Sequence, residues 1–165
     1  MPDLCFKIRK KYRHPVITVP VGDNKNIRCL VDTGASIPVW CGSREIFQLL
    51  FPTAKKSGKK SLLRGFGGEG KEVDVWIIPK FILKDTGNTH GIIYHNFHVM
   101  LDSGRNFDCD LILSYEMFKK MDYIFDNLSD SELTFFRIKS DRNEFGTGMR
   151  TGVDGLLSYF YVFSE

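Results

Sequence analysis

Short apolar runs, broken by Gly, Asp and Asn, recur along most of the chain. Val16, Ile17, Val19 and Val21 form the first clear run, and Asp23-Asn24-Lys25-Asn26 carries turn chemistry. Residues 27–31 form a second run, so the pattern predicts a hairpin through that turn. A short strand is expected at 37–40. Ser43 then stands where it can cap a short helix whose Ile46, Phe47, Leu49 and Leu50 face a core, and Pro52 ends it. Val73, Val75 and Ile77 alternate with Asp74, Trp76 and Ile78, the period of a strand, and 81–83 and 92–101 continue in strands. The compact apolar run 111–113 leads into a second short helix, 114–120, with Ser114 as its cap; 123–125, 133–138 and 156–163 complete the strands. This is the pattern of an all-β sandwich or barrel with one or two short helices, without internal repeats.

The length of 165 residues suits one domain, residues 1–165, large enough to bury a sizeable core. A net charge of +3 demands neither a nucleic acid nor a membrane as partner. The basic residues are dispersed except at Lys55, Lys56, Lys59 and Lys60, which with Ser57 and Gly58 read as a solvated loop. Cys5, Cys29, Cys41 and Cys109 show no CxxC pair or zinc-ligand spacing. His95 and His98 would face opposite sides of a strand and, with His90, make a poor metal set, so no metal and no cofactor is expected. Met1-Pro2-Asp3-Leu4 does not open a signal peptide, and no apolar run nears the roughly 18 residues that would span a bilayer. The expectation is a cytoplasmic protein with free thiols.

The chemistry concentrates in Cys29-Leu30-Val31-Asp32-Thr33-Gly34-Ala35-Ser36. A carboxylate at the end of a buried strand is costly unless it is paired or has work to do. Gly34 permits a tight turn and close approach by another group, while Thr33 and Ser36 can hydrogen-bond within the turn. The plainest reading is an Asx-turn, in which Asp32 bonds its own backbone. A second glycine-rich stretch, Gly65-Phe66-Gly67-Gly68-Glu69-Gly70, fits the dinucleotide pattern GxGxxG, but a strand pattern follows it where that reading needs a helix.

The longer string, two apolar residues followed by Asp32-Thr33-Gly34-Ala35-Ser36, resembles the active-site loop of retropepsin-like aspartic peptidases. Gly65 to Gly70 stands where that family places its substrate-covering flap. Asp110 to Phe118 looks like the strand and helix behind the loop, and Tyr123-Ile124-Phe125-Asp126 like the strand that follows. The resemblance covers residues 16–126 and leaves 127–165 as a C-terminal extension. It departs at Ser114, where the family usually has glycine.

The resemblance implies a single-lobe acid-protease closed barrel that works as a homodimer on a peptide or protein substrate. Asp32 would be the catalytic residue, supported by Thr33, Gly34, Ala35 and Ser36. Gly65, Phe66, Gly67, Gly68 and Gly70 would form the flap, with Trp76 either beside it or in the core. Two carboxylates sharing one proton activate water in this chemistry, and one chain offers one such loop. Asp102-Ser103-Gly104 is a possible second, but no flap follows it, and Asp102 reads as a turn residue. A twofold dimer is the remaining solution, with Leu4-Cys5-Phe6 and 156–163 as candidate interface strands and Thr33 bonding across the axis. The alternative is a non-catalytic module that keeps the fold for dimerisation or peptide binding.

Overall fold

A computed structural model describes residues 3–8, 14–22, 25–63, 70–87, 90–102, 109–118, 122–127, 134–138, 150–153 and 156–162. Among these residues, twelve strands and two helices follow in the order β1 (Leu4–Ile8), β2 (Val16–Val21), β3 (Lys25–Val31), β4 (Val39–Trp40), α1 (Arg44–Leu50), β5 (Lys55–Leu63), β6 (Lys71–Lys84), β7 (His90–Leu101), β8 (Leu111–Leu113), α2 (Tyr115–Phe118), β9 (Tyr123–Asn127), β10 (Thr134–Ile138), β11 (Arg150–Val153) and β12 (Leu156–Val162). Neither helix among the described residues is long and apolar enough to cross a membrane.

The strands form one sheet in the order β11-β12-β7-β4-β8-β3-β2-β1-β10-β9, with β6 also on β7 and β5 on β6. The expected β2–β3 hairpin is present, in register from Val16 opposite Leu30 to Val21 opposite Lys25. The sheet does not close into the expected barrel: its end strands, β11 and β9, do not pair with each other. It branches instead at β7, which takes β12 along 90–95 and β4 at Met100 and Leu101, and pairs with β6 from Gly91 to Met100.

One local expectation gives way. The lysine-rich segment is not a loop but strand β5, antiparallel to β6 with a register shift between Lys56 and Lys60, where Gly58 takes φ +80°. Exposed on an outer strand, its lysines keep their charges in water, and Lys56 also meets Asp74 at 3.6 Å. Residues 71–84 run as one strand despite Pro79, because Asn96 opposite it takes φ 53° and the pairing resumes at Lys80. Leu4-Cys5-Phe6 lies inside the chain's own sheet as β1, between β2 and β10, and β12 pairs with β7.

Helix α1 starts where Ser43 Oγ accepts the Ile46 N–H at 3.2 Å. Only one flank of it faces inward: Phe47 is fully buried, while Ile46 and Leu49 are exposed. Phe47 touches Trp40, Phe51 and Trp76 at ring-centroid distances of 5.6, 5.3 and 5.7 Å. This aromatic group joins Phe81, Tyr94, Phe97, Phe118 and Phe136 in the main core. A smaller cluster of Val39, Cys41, Leu63, Val73, Val75, Met100, Cys109 and Ile112 lies against Leu30, Ala35 and Ile37. Truncating Phe47→Ala should cost about 3–5 kcal/mol of unfolding free energy, read from urea denaturation; a loss under about 1 kcal/mol would contradict its central place.

Candidate functional site

The site is built on a parallel pair. β3 and β8 run side by side, with Cys29, Leu30 and Val31 opposite Leu111, Ile112 and Leu113. Asp110 anchors the start of the pair: its Oδ2 accepts the Arg28 N–H at 2.8 Å and its own N–H reaches the Arg28 carbonyl at 2.8 Å. The Arg28 guanidinium lies 3.6 Å from the same carboxylate. At the far end, the Asp32 N–H bonds the Leu113 carbonyl at 3.1 Å.

Beyond that bond the chain turns. Asp32 Oδ1 accepts the Gly34 N–H at 2.9 Å, so the Asx-turn forms. The Ala35 N–H reaches the Asp32 carbonyl at 3.1 Å. A Cβ on Gly34 would sit 3.2 Å from Asp32 Oδ1, so the turn wants glycine there for lack of room. No bond among the described residues engages Asp32 Oδ2. Asp32 and Ala35 are half-buried, and Thr33, Gly34 and Ser36 are exposed. The turn thus aims the tip of the loop outward, with one carboxylate oxygen fixed.

The loop is tied to what lies behind it. The Tyr115 N–H bonds the Ala35 carbonyl at 3.0 Å, joining α2 to the loop. Tyr94 donates its hydroxyl to the Met117 carbonyl at 3.0 Å, and burial pushes its phenol far above the ordinary range. Ser114 does not cap α2 as expected. Its carbonyl accepts the Met117 N–H at 3.2 Å, but its hydroxyl is buried with no partner among the described residues. Beside β8, the Cys109 thiol is held below its usual range by a hydrogen bond from Cys41, against the opposing effect of burial.

Asp102 is not a plain turn residue. It is buried and forms an ion pair with Lys71, and its N–H bonds the Trp40 carbonyl at 2.9 Å. Trp76 is a core residue, packed on Phe47 with the Arg44 guanidinium 5.2 Å from its ring centre. Of the flap residues, Gly70 is exposed at the entry to β6, and Gly65, Phe66, Gly67 and Gly68 lie outside the described residues. Leu63 and Lys71, on either side of this stretch, are paired across β5 and β6.

A cavity of about 370 Å³ opens beside the loop, walled by Ile37 and Pro38, by Val75 and Phe97, and by Ser114 and Met117. Lys59, Lys60 and Glu116 bring charge to it, and Asp32 is not among its lining residues. Ser36 of the expected active-site loop also lines it. Of the other lining residues, the sequence singled out Lys59 and Lys60 as part of a solvated loop, His98 as a poor metal ligand and Ser114 as a departure from glycine, whereas Ile37, Val75, Phe97 and Met117 read only as strand or helix positions. Among the described residues no three His, Cys, Asp or Glu side chains come together as a metal site.

No family model matches the sequence. No curated protein is significantly similar to it. Among solved structures, the fold is similar to that of a retropepsin-like aspartic protease from Rickettsia conorii. The TM-score is 0.51 and the identity 16%, over 82% of this chain and 90% of that one. At that identity the likeness concerns the fold. Replacing Ser114 by Ala should raise stability by about 1 kcal/mol in thermal or urea unfolding, since a buried hydroxyl without a partner has lost its water for nothing; a loss of stability would contradict the unpaired state.

Proposed function

We propose that the protein is an aspartic-type endopeptidase in which Asp32 from each of two copies forms the catalytic pair. The observation that carries this reading is the Asp32 turn: a carboxylate at the end of a buried parallel strand pair, with Oδ1 fixed by the Gly34 N–H and Oδ2 unengaged by the described residues. The fold's likeness to a retropepsin-like protease supports it.

In this mechanism two facing carboxylates share one proton. The ionised member takes a proton from a water molecule, and the protonated one polarises the scissile carbonyl. Water then adds to the carbonyl carbon, and collapse of the adduct releases an acid and an amine. The pair titrates as a unit, so neither role belongs to one copy. Thr33 and Gly34, exposed at the loop tip, are the groups placed to meet the opposite loop. Ala35 and Ser36 line the approach, and Gly65, Phe66, Gly67, Gly68 and Gly70 form the flap over an extended peptide. The mechanism calls for no metal or cofactor.

The second reading is a non-catalytic dimerisation or peptide-binding module, favoured by the departure from glycine at Ser114, whose hydroxyl is buried without a partner among the described residues behind the loop. A peptide-library digestion separates the two. Asp32→Asn should keep the circular dichroism spectrum and lower cleavage by about 10³-fold or more. Cleavage retained in the variant would end the catalytic assignment, and no cleavage by the wild type would favour the binding module.

A further inference from the structure

Strand β5 has two unlike faces. Ser61 pairs with Val73 across β6, and Lys60 with Asp74. Directly opposed side chains share a face of the sheet. Val73 and Val75 pack in the smaller core cluster, so Ser61 lies on the inner face. Lys60 lies on the outer face, where Lys56 meets Asp74 at 3.6 Å. Lys59, two residues before Ser61, returns to the inner face and lines the cavity of about 370 Å³. No ion pair among the described residues engages its ammonium group.

The cavity runs from charge at its rim to a polar floor. Lys59 and His98 are exposed, and His98 directs its Nδ1 to the Asn96 carbonyl at 2.7 Å. Glu116, the one carboxylate among the described lining residues, already has an interaction partner. Pro38, Val75, Phe97 and Met117 give buried apolar walls. Ser114 lines the same space and is 0% exposed, and its hydroxyl has no hydrogen-bond partner among the described residues. A buried hydroxyl without a partner is costly, and a ligand group that bonds it removes the penalty.

The ligand that suits these groups has an apolar stem and an anionic end that accepts hydrogen bonds. The volume is near the lower end of the roughly 300–1,000 Å³ of ligand pockets, which is room for a long side chain. The cavity starts at Ser36, four residues past Asp32, and Asp32 is not part of its wall. What enters it is a neighbour of the reacting bond rather than the bond itself.

We propose that this cavity selects peptides by a glutamate side chain, with Ser114 Oγ–H and the Lys59 ammonium both donating to its carboxylate. The apolar walls cover the methylenes, and Lys59 brings in its charge on a flexible stem. A leucine in the same place would leave the Ser114 hydroxyl unpaired, and a lysine would set two ammonium groups together. The proposal rests on the peptide-binding reading above and holds whether or not the bound peptide is cut.

The test uses the full chain as Asp32→Asn, which binds without turnover, panned against a randomised library of short peptides. The enriched peptides should share a glutamate at one position. By fluorescence anisotropy, changing that glutamate to glutamine should weaken binding about tenfold or more, and changing it to lysine further still. Lys59→Met keeps the stem and removes the charge, and should bring the two peptides within about twofold of each other. Lys55→Met, on the same strand but outside the cavity, should keep the gap. Ser114→Ala should bind the glutamate peptide several-fold more weakly while unfolding at a higher urea concentration, which separates lost binding from lost fold. The proposal is overturned if no peptide binds or if the enriched peptides carry no acid. It is equally overturned if the glutamate preference survives Lys59→Met, or if Lys55→Met removes it as fully. Wild-type cleavage that needs Asp32 but ignores the acid would sink this pocket and leave the chemistry standing. Glutamate-selective binding without any cleavage would keep the pocket and remove the hydrolase.

Discussion

The parallel pairing of β3 with β8 is the constraint on which the rest depends. Its three rungs, Cys29–Leu111, Leu30–Ile112 and Val31–Leu113, place the end of an apolar strand at the edge of the core and turn Asp32 outward. Each backbone bond contributes only about 1 kcal/mol net. Burial contributes more: Leu111, Ile112 and Leu113 are all buried, at about 1.5–3 kcal/mol for each such side chain. The pair is therefore held mainly by its packing, while the hydrogen bonds fix register. Asp110 sets that register at one end and the Asp32–Leu113 bond closes it at the other. A slip of one residue would turn every side chain of β8 to the opposite face.

A second layer links this pair to strands β5 and β6. Leu63 and Val73, on the paired strands β5 and β6, share a cluster with Val39, Met100, Cys109 and Ile112, and Ala35 and Ile37 of the loop segment pack against it. Lys71, at the start of β6, reaches the buried carboxylate of Asp102 at the end of β7. A buried charge of that kind is costly without its partner. The ion pair thus ties the start of β6 to the end of β7.

The strands were legible where the two-residue period was clean, as in 16–21, 27–31 and 73–78. The Asp32 turn was legible because Asp, Gly and small residues crowd together after an apolar run. What was not legible depended on distant partners. The lysines of β5 read as a loop because no single residue there is buried enough to reveal strand pairing with β6. Asp102 read as a turn because its partner Lys71 is distant in sequence. Leu4 and Phe6 were read as possible interface residues, whereas β10 fills both their pairing edge and their core face. Sheet closure had no local signal, since β11 and β9 differ from inner strands only in what lies beside them. The cavity walls are contributed by five separate stretches of chain, which no spacing rule joins.

The central claim is that hydrolysis needs Asp32 from two copies at once. Mixing wild-type chains with an equal amount of the Asp32→Asn form, after subunit exchange, tests it most directly. If both carboxylates are required, half the wild-type chains pair with an inert copy, and cleavage per wild-type chain should fall to about half. Activity per wild-type chain that stays constant as the variant is added would contradict the account.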